Sequence, residues 1–407
     1  MKKGWISNRL GAITTKIGSG ATPRGGEESY KETGTPLIRS LNVHDWGFKE
    51  VKLARIDAAQ AAQLSNVIVE PDDVLLNITG ASVARCCVAP PEFLPARVNQ
   101  HVSIIRPRKD EISSAFLQYL LISQTYKDQL LHTGEAGSTR QAITKAQIQD
   151  FVIEYPKSLA EQQRIVGILD EAFAGLATAK ATAEKNLQNA RALFESHLQS
   201  VFSQRGKGWV EKNLGDIAEF KNGLNFSKNS SGQTLRFVGV SDFQENYYVP
   251  DTELESVTID GKLAENYTLQ RNDILTVRSN GSKHLVGRCM LVADIEEMVS
   301  YSGFIIRIRF DTAKIYPKFL LHFLKCSATR ELLTQGGGGA NITNINQEKL
   351  SALPVPIPPF QSQKEIAASL DALREETQRL ASLYQQKLLA LEALKKSLLH
   401  QAFSGEL

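Results

Sequence analysis

Leu159-Ala160-Glu161-Gln162-Gln163-Arg164-Ile165-Val166 opens a run that continues to Phe202, and Phe360-Gln361-Ser362-Gln363-Lys364-Glu365-Ile366 opens a second that continues to Phe403. Displaced by 201 positions, the two superimpose without a gap over some forty residues. Gln162 falls on Gln363, Ile165 on Ile366, Leu169-Asp170 on Leu370-Asp371, Ser196 on Ser397, Leu198 on Leu399 and Phe202 on Phe403. A helix accepts substitution but not insertion, because one added residue turns its apolar face by about 100°. The register therefore predicts two long helices, 159–204 and 360–407, each about 60 Å long at ~1.5 Å per residue.

The second run reads as a coiled-coil strand. Leu370, Thr377, Tyr384, Leu391 and Leu398 form one row, and Leu373, Leu380, Lys387 and Leu394 its companion. The first run is richer in alanine along Leu169, Ala172, Leu176, Ala179, Ala183, Leu187, Ala190, Phe194 and Val201. Small residues facing large ones allow close approach. The apolar stripe of each helix must be buried, and the other copy is the matching surface.

The repeat extends beyond the helices. Lys3-Gly4-Trp5 with Leu10-Gly11 matches Lys207-Gly208-Trp209 with Leu214-Gly215. Asp73-Val74-Leu75 matches Asp273-Ile274-Leu275, Arg85-Cys86 matches Arg288-Cys289, and Phe116-Leu117 matches Phe319-Leu320. The chain thus divides into a globular region (residues 1–158), a helix (159–204), a second globular region (205–359) and a second helix (360–407). Each globular region reads as mixed. Strands are expected near Pro36–Arg39, Val74–Ile78, Ala84–Val88 and Val102–Arg106, with counterparts near Leu235–Val240, Ile274–Val277, Gly287–Val292 and Phe304–Arg309. Single helices are expected over 113–131 and 316–333, and Asp57 and Asp260 stand as helix N-caps. Glycine-rich loops, Gly134–Arg140 and Gly336–Asn341, precede the last segment of each region.

Composition is that of an ordinary globular protein, 42% hydrophobic and 22% charged, with net charge +3. The helices are near neutral, so the small basic excess lies in the globular regions, where it permits nucleic-acid binding without indicating it. No apolar run is long enough to span a bilayer and no signal-peptide pattern follows Met1. Cys86, Cys87, Cys289 and Cys326 have neither disulfide-framework nor zinc spacing, so a reducing cytoplasm is expected.

Catalytic motifs are absent: no phosphate-binding G-x-x-x-x-G-K-[ST], no H-E-x-x-H, no G-x-S-x-G and no Asn-Pro-Pro-aromatic. Pro250-Asp251 with Asp260-Gly261-Lys262 imitates a nuclease metal site. The internal repeat argues against it, because Ile259-Asp260 falls on Ile56-Asp57, where alanines follow. The loops hold the better candidates. Arginine reads guanine, asparagine reads adenine, and hydroxyls serve either base or phosphate. In the first globular region these are Arg39, Asn42, Thr79, Ser82, Ser138 and Arg140; in the second, Ser241, Arg278, Asn280, Ser282, Lys283 and Asn341.

The twofold repeat, the Leu159–Val166 entry, the Pro358-Pro359-Phe360 entry and the ending Leu394-Lys395-Lys396-Ser397-Leu398-Leu399-His400-Gln401-Ala402-Phe403-Ser404-Gly405-Glu406-Leu407 carry a resemblance. The chain resembles the specificity subunits of type I restriction–modification enzymes over its whole length. The resemblance implies an α+β architecture of two repeated α/β target-recognition domains, each followed by a long helix, with the helices paired as an antiparallel coiled coil and the domains at opposite ends. It implies a non-catalytic DNA-binding subunit. Each domain would read one half of a bipartite site, and the helices would fix the gap and dock two methyltransferase subunits. S-adenosylmethionine, ATP and Mg²⁺ would be held by partner methyltransferase and restriction subunits, with no cofactor or metal on this chain. An independent enzyme and a coiled-coil protein scaffold are the competing readings.

Overall fold

The structure is a computed structural model and describes residues 4–135, 142–227, 229–244, 246–250, 254–295, 297–335, 344–404 and 406. It resolves into two compact units, residues 1–183 with 386–407, and residues 184–385. Each predicted helix is thereby shared: its two halves belong to different units.

In the first unit the strands are β1 (Trp5–Arg9), β2 (Thr14–Ser19), β3 (Thr35–Ile38), β4 (Val43–His44), β5 (Gly47–Phe48) and β6 (Ala54–Ile56), then helix α1 (Ala58–Gln63) and β7 (Ile68–Val69). They continue as β8 (Val74–Asn77), β9 (Cys86–Val88), β10 (Ala96–Val98) and β11 (Val102–Pro107). Helices α2 (Ser114–Ile122), α3 (Gln124–Glu135) and α4 (Lys145–Asp150) precede β12 (Val152–Pro156) and the long α5 (Leu159–Ser203). The central sheet has the order β2-β11-β8-β9, a second sheet the order β6-β3-β10-β7, and β1 pairs with β12.

The second unit repeats this plan. β13 (Val210–Asn213), β14 (Ala218–Asn222), β15 (Thr234–Val238), β16 (Glu255–Thr258), β17 (Ile274–Val277), β18 (Cys289–Leu291), β19 (Val299–Tyr301) and β20 (Ile305–Phe310) lead to α6 (Pro317–Lys325), α7 (Ser327–Thr334) and α8 (Gln347–Ser351), then β21 (Pro354–Ile357) and α9 (Phe360–Ser404). Its sheets run β14-β20-β17-β18, β16-β15-β19 and β13-β21. Only β3 with β10, and β15 with β19, pair in parallel among the named strands.

The residues repeated in sequence hold the same joints. Asp73 and Asp273 are buried, and each closes its turn by accepting the amide of Glu70 or Gln270, both at 2.8 Å. Each then grips an arginine of the neighbouring strand with both oxygens: Arg106 at 2.7 and 2.9 Å, Arg309 at 2.7 and 2.7 Å. Gln162 and Gln363, also buried, tie the long helices to the globular regions. Their carbonyls accept the amides of Ser113 and Tyr316 at 2.8 Å, while their amino groups donate to the carbonyls of Glu111 and Pro156, or Lys314 and Pro358. A buried amide is retained when every polar atom is satisfied.

Three expectations are corrected. The helices expected over 113–131 and 316–333 each break, at Ser123 and Cys326, where the backbone is extended (ψ 147° and 133°). Ser123 ends α2 by bonding its hydroxyl to the Leu120 carbonyl at 2.6 Å. Asp57 is an N-cap with a reciprocal Gln60 capping box, but Asp260 is not a cap. Gly261 has φ +72°, which cannot start a helix, and the Asp260 carboxylate instead accepts Ser230 Oγ and the Ser231 amide. Along α9 the companion row holds at Leu373 and Leu380, which are half-buried, and is displaced beyond them. Lys387 and Leu394 are exposed, and Arg374, Ala381, Leu388, Lys395 and Ala402 take the inner positions.

The displacement has a physical cause. Arg374 lies 4.0 Å over the Tyr247 ring, and Lys395 lies 3.3 Å over Trp46 and 5.2 Å over Phe173. Long cationic side chains cover apolar surface with their stems and hold an aromatic face with their charge. By the repeat register, Arg374 stands where the first copy has Phe173, and Lys395 where it has Phe194. Within the first unit α5 and α9 run antiparallel, with Lys180 bonded to Glu392 at 2.7 Å. Within the second, Leu198 and Phe202 of α5 join Ala367 and Leu370 of α9 in one core.

The repeated Leu-Asp pair adds a helix-to-globule clasp. Tyr119 donates to Asp170 at 2.5 Å in the first unit; Lys318 and His322 donate to Asp371 at 2.7 and 2.9 Å in the second. Burial pushes His322 below its ordinary 6.5. Burial alone would raise Asp371, but its hydrogen bonds from His322 and Lys318 outweigh that and hold it at about 2 rather than 3.8. The unfolded chain takes up the histidine proton near pH 6.5 and the folded chain resists it. Stability is therefore full above that pH and falls as pH drops below it, by up to about 1.4 kcal/mol per pH unit. The Asp371 contribution is lost lower, between 3.8 and 2. Thermal melts of His322→Asn are expected to show a flatter decline between pH 7 and 5 than the wild type; an unchanged slope would exclude His322 as its source.

Candidate nucleic-acid interface

Strand direction decides which loops meet. In the first unit β2, β3, β8 and β10 end where β11 begins, so the loops starting at Gly20, Arg39, Ile78 and Asn99 share one sheet edge. In the second unit β14, β15, β17 and β19 end where β20 begins, which gathers the loops starting at Gly223, Gly239, Arg278 and Ser302. Gly20 and Gly223 permit the crowding. A Cβ on Gly20 would stand 1.8 Å from the Val98 carbonyl oxygen, and one on Gly223 2.2 Å from that of Ser302.

Backbone bonds establish which positions correspond. The Ile78 amide donates to His101 and its carbonyl accepts from Ile143; the Arg278 amide donates to Phe304 and its carbonyl accepts from Ile345. Thus Ile78 corresponds to Arg278, and His101 to Phe304. Likewise Asn42 Oδ1 accepts the Arg39 amide at 3.1 Å, and Asp242 accepts the Gly239 amide at 2.7 Å.

The candidates distribute unevenly over this edge. Asn42 is withdrawn from it: the side chain is wholly buried and its amide bonds the carbonyls of Lys49 and Val51. Arg39 is 12% exposed in its side chain, paired to Glu27 at 2.8 Å and the Lys52 carbonyl at 2.7 Å, with the guanidinium over Tyr30. Both hold the loop rather than project from it. Thr79 and Ser82 lie on the 78–83 loop, Thr79 half-buried and bonded to His101 Nδ1. Ser241 is exposed on the short turn Val240–Phe243. Arg278, Asn280, Ser282 and Lys283 share one loop. Arg278 is half-buried, Asn280 accepts the Ser282 amide at 2.8 Å, Ser282 bonds His284 Nδ1 at 2.8 Å, and Lys283 is exposed. Ser138, Arg140 and Asn341, with the greater share of the two glycine-rich loops, lie outside the described residues.

Residues not singled out from sequence complete the edge. Thr22 donates to Gln100, Gln100 Nε2 meets His101 Nε2 at 3.1 Å, and His101 Nδ1 meets Thr79. If the Gln100 amino group donates, the imidazole carries its proton on Nδ1. This polar row joins three loops and has no spacing signature in the chain. At the matching point of the second unit Phe304 is 58% exposed, with Phe226 45% exposed on a neighbouring loop. Among the described residues no His, Cys, Asp or Glu group could hold a metal ion, and no helix is long and apolar enough to cross a membrane.

The chain matches the family described as type I restriction modification DNA specificity domain twice, over residues 2–188 and 206–388. It is 24% identical over 422 aligned positions to the type I restriction enzyme StySPI specificity subunit of Salmonella potsdam, covering all of this chain and 90% of that protein. It is 25% identical over 206 positions to the EcoKI specificity subunit of Escherichia coli K12, covering 49% of this chain and 44% of that one. The HsdS subunit of Thermoanaerobacter tengcongensis shares the fold with TM-score 0.68 and 19% identity, covering 100% and 98% of the two chains. A chain from a structure describing assembly and conformational transition of the type I R-M system shares it at TM-score 0.77 and 18% identity, covering 100% and 99%. With the domain matched in both halves, the chain belongs to the family of type I restriction–modification DNA specificity subunits, which recognise DNA and are not themselves catalytic.

Proposed function

We propose that the loop edge of each unit reads one half of a bipartite, asymmetric DNA site, and that α5 and α9 set the gap between the halves. The supporting observation is one loop edge built twice with different residues at corresponding points: Ile78 against Arg278, His101 against Phe304, Asn42 against Asp242. A shared frame with divergent tips suits two different half-sites. The paired helices dock two methyltransferase subunits, which bring S-adenosylmethionine and methylate adenine. Restriction subunits, with ATP and Mg²⁺, join them to cut unmodified DNA in the cytoplasm. This chain contributes recognition and spacing, and neither cofactor nor metal.

Replacing residues 278–285 by 78–82, the loop that ends at the matching Val83 and Val286, tests the assignment. Methylation mapping in cells is expected to show one half-site altered and the other, together with the gap, retained. Alteration of both half-sites would contradict a division of labour between the units.

A further inference from the structure

Phe304 is a large apolar side chain, 58% exposed, on the edge otherwise furnished with Arg278, Asn280, Ser282 and Lys283. Its backbone is fixed on both sides. The Phe304 amide donates to Ser302 Oγ at 3.3 Å, its carbonyl accepts the Arg278 amide at 2.9 Å, and the next residue begins β20. Gly303, just before it, donates its amide to the Leu224 carbonyl at 2.7 Å, so the neighbouring loop also holds this corner. The backbone beneath this exposed ring is fixed, and among the described residues Phe304 belongs to none of the apolar cores of the unit.

The corresponding residue of the first unit, His101, has both ring nitrogens within hydrogen-bond distance of polar side chains. The same backbone point therefore offers polar chemistry in one unit and apolar chemistry in the other. Base edges in the major groove present donors, acceptors and a single kind of apolar group, the 5-methyl of thymine. Resting on the loop-edge reading above, we infer that Phe304 is a specificity-determining residue that contacts a thymine methyl in the half-site read by the second unit.

The test uses the full chain assembled with its methyltransferase partners and duplexes carrying the mapped motif. Thymines of that half-site are replaced one at a time by uracil, which lacks only the methyl. One such replacement is expected to weaken wild-type binding roughly four-fold. Phe304→Ala should bind about ten-fold more weakly and no longer distinguish thymine from uracil. Phe304→Leu, still apolar, should retain most of the distinction. The inference is overturned if no thymine position discriminates, or if Phe304→Ala discriminates as the wild type does. Loss of this inference alone is separable from loss of the edge reading: in the first case exchanging 278–285 still changes one half-site, and in the second it changes neither.

Discussion

Lengthening α5 and α9 by one heptad each, inserted after Ala183 and Gln385 where the units divide, is expected to abolish methylation at the original site. Methylation should reappear at a site with the same two half-sequences set farther apart. Seven residues add about 10.5 Å at ~1.5 Å each, which is up to about three base pairs at ~3.4 Å per base pair. A heptad keeps the apolar face in register to within about 20°, so pairing survives. Insertion in both helices preserves the antiparallel match that Lys180 and Glu392 report in the first unit. Methylation mapping reads the result directly. Retention of the original spacing would refute the proposed role of the helices as spacer, and altered bases in either half-site would show that the helices take part in reading.

Asp273→Ala is expected to destabilise the second unit strongly. Its carboxylate is 1% exposed, closes the 270–273 turn and holds Arg309 with two bonds. Removing it leaves the Arg309 guanidinium, which is 26% exposed, without its charge partner. Breaking a buried pair from one side costs about 3–5 kcal/mol; partial exposure of the arginine places this case near ~3 kcal/mol, a fall of roughly 10 °C in the melting midpoint of a unit this size. Lys180→Ala provides the contrast. That pair is 47% and 52% exposed, and its loss should cost less than about 1 kcal/mol. Equal effects from the two substitutions in thermal melts would show that the buried pair is not the joint described here.

Gln162, Gln363, Asp73 and Asp273 were legible in the chain because duplication repeats them at matching positions, and each holds a buried, hydrogen-bonded joint. The long helices were legible for the related reason that an insertion rotates a face. The loop edge was only partly legible. Thr79, Ser82, Ser241, Arg278, Asn280, Ser282 and Lys283 could be named by residue type, and so could Asn42, whose amide turned inward to satisfy its own loop. Gln100 and Thr22 could not, because what unites them is the meeting of strand ends far apart in sequence.

By itself, the sequence determined the twofold plan, the two long helices and the lack of a catalytic motif, because helix register and buried joints leave periodic and repeated marks along a chain. Only the tertiary structure decided which helix face turns inward, since Arg374 and Lys395 are held there by the rings of Tyr247 and Trp46 rather than by their own hydropathy. It also decided which loops share an edge, since parallel pairing of β3 with β10 and of β15 with β19 brings strand ends together that no local pattern connects.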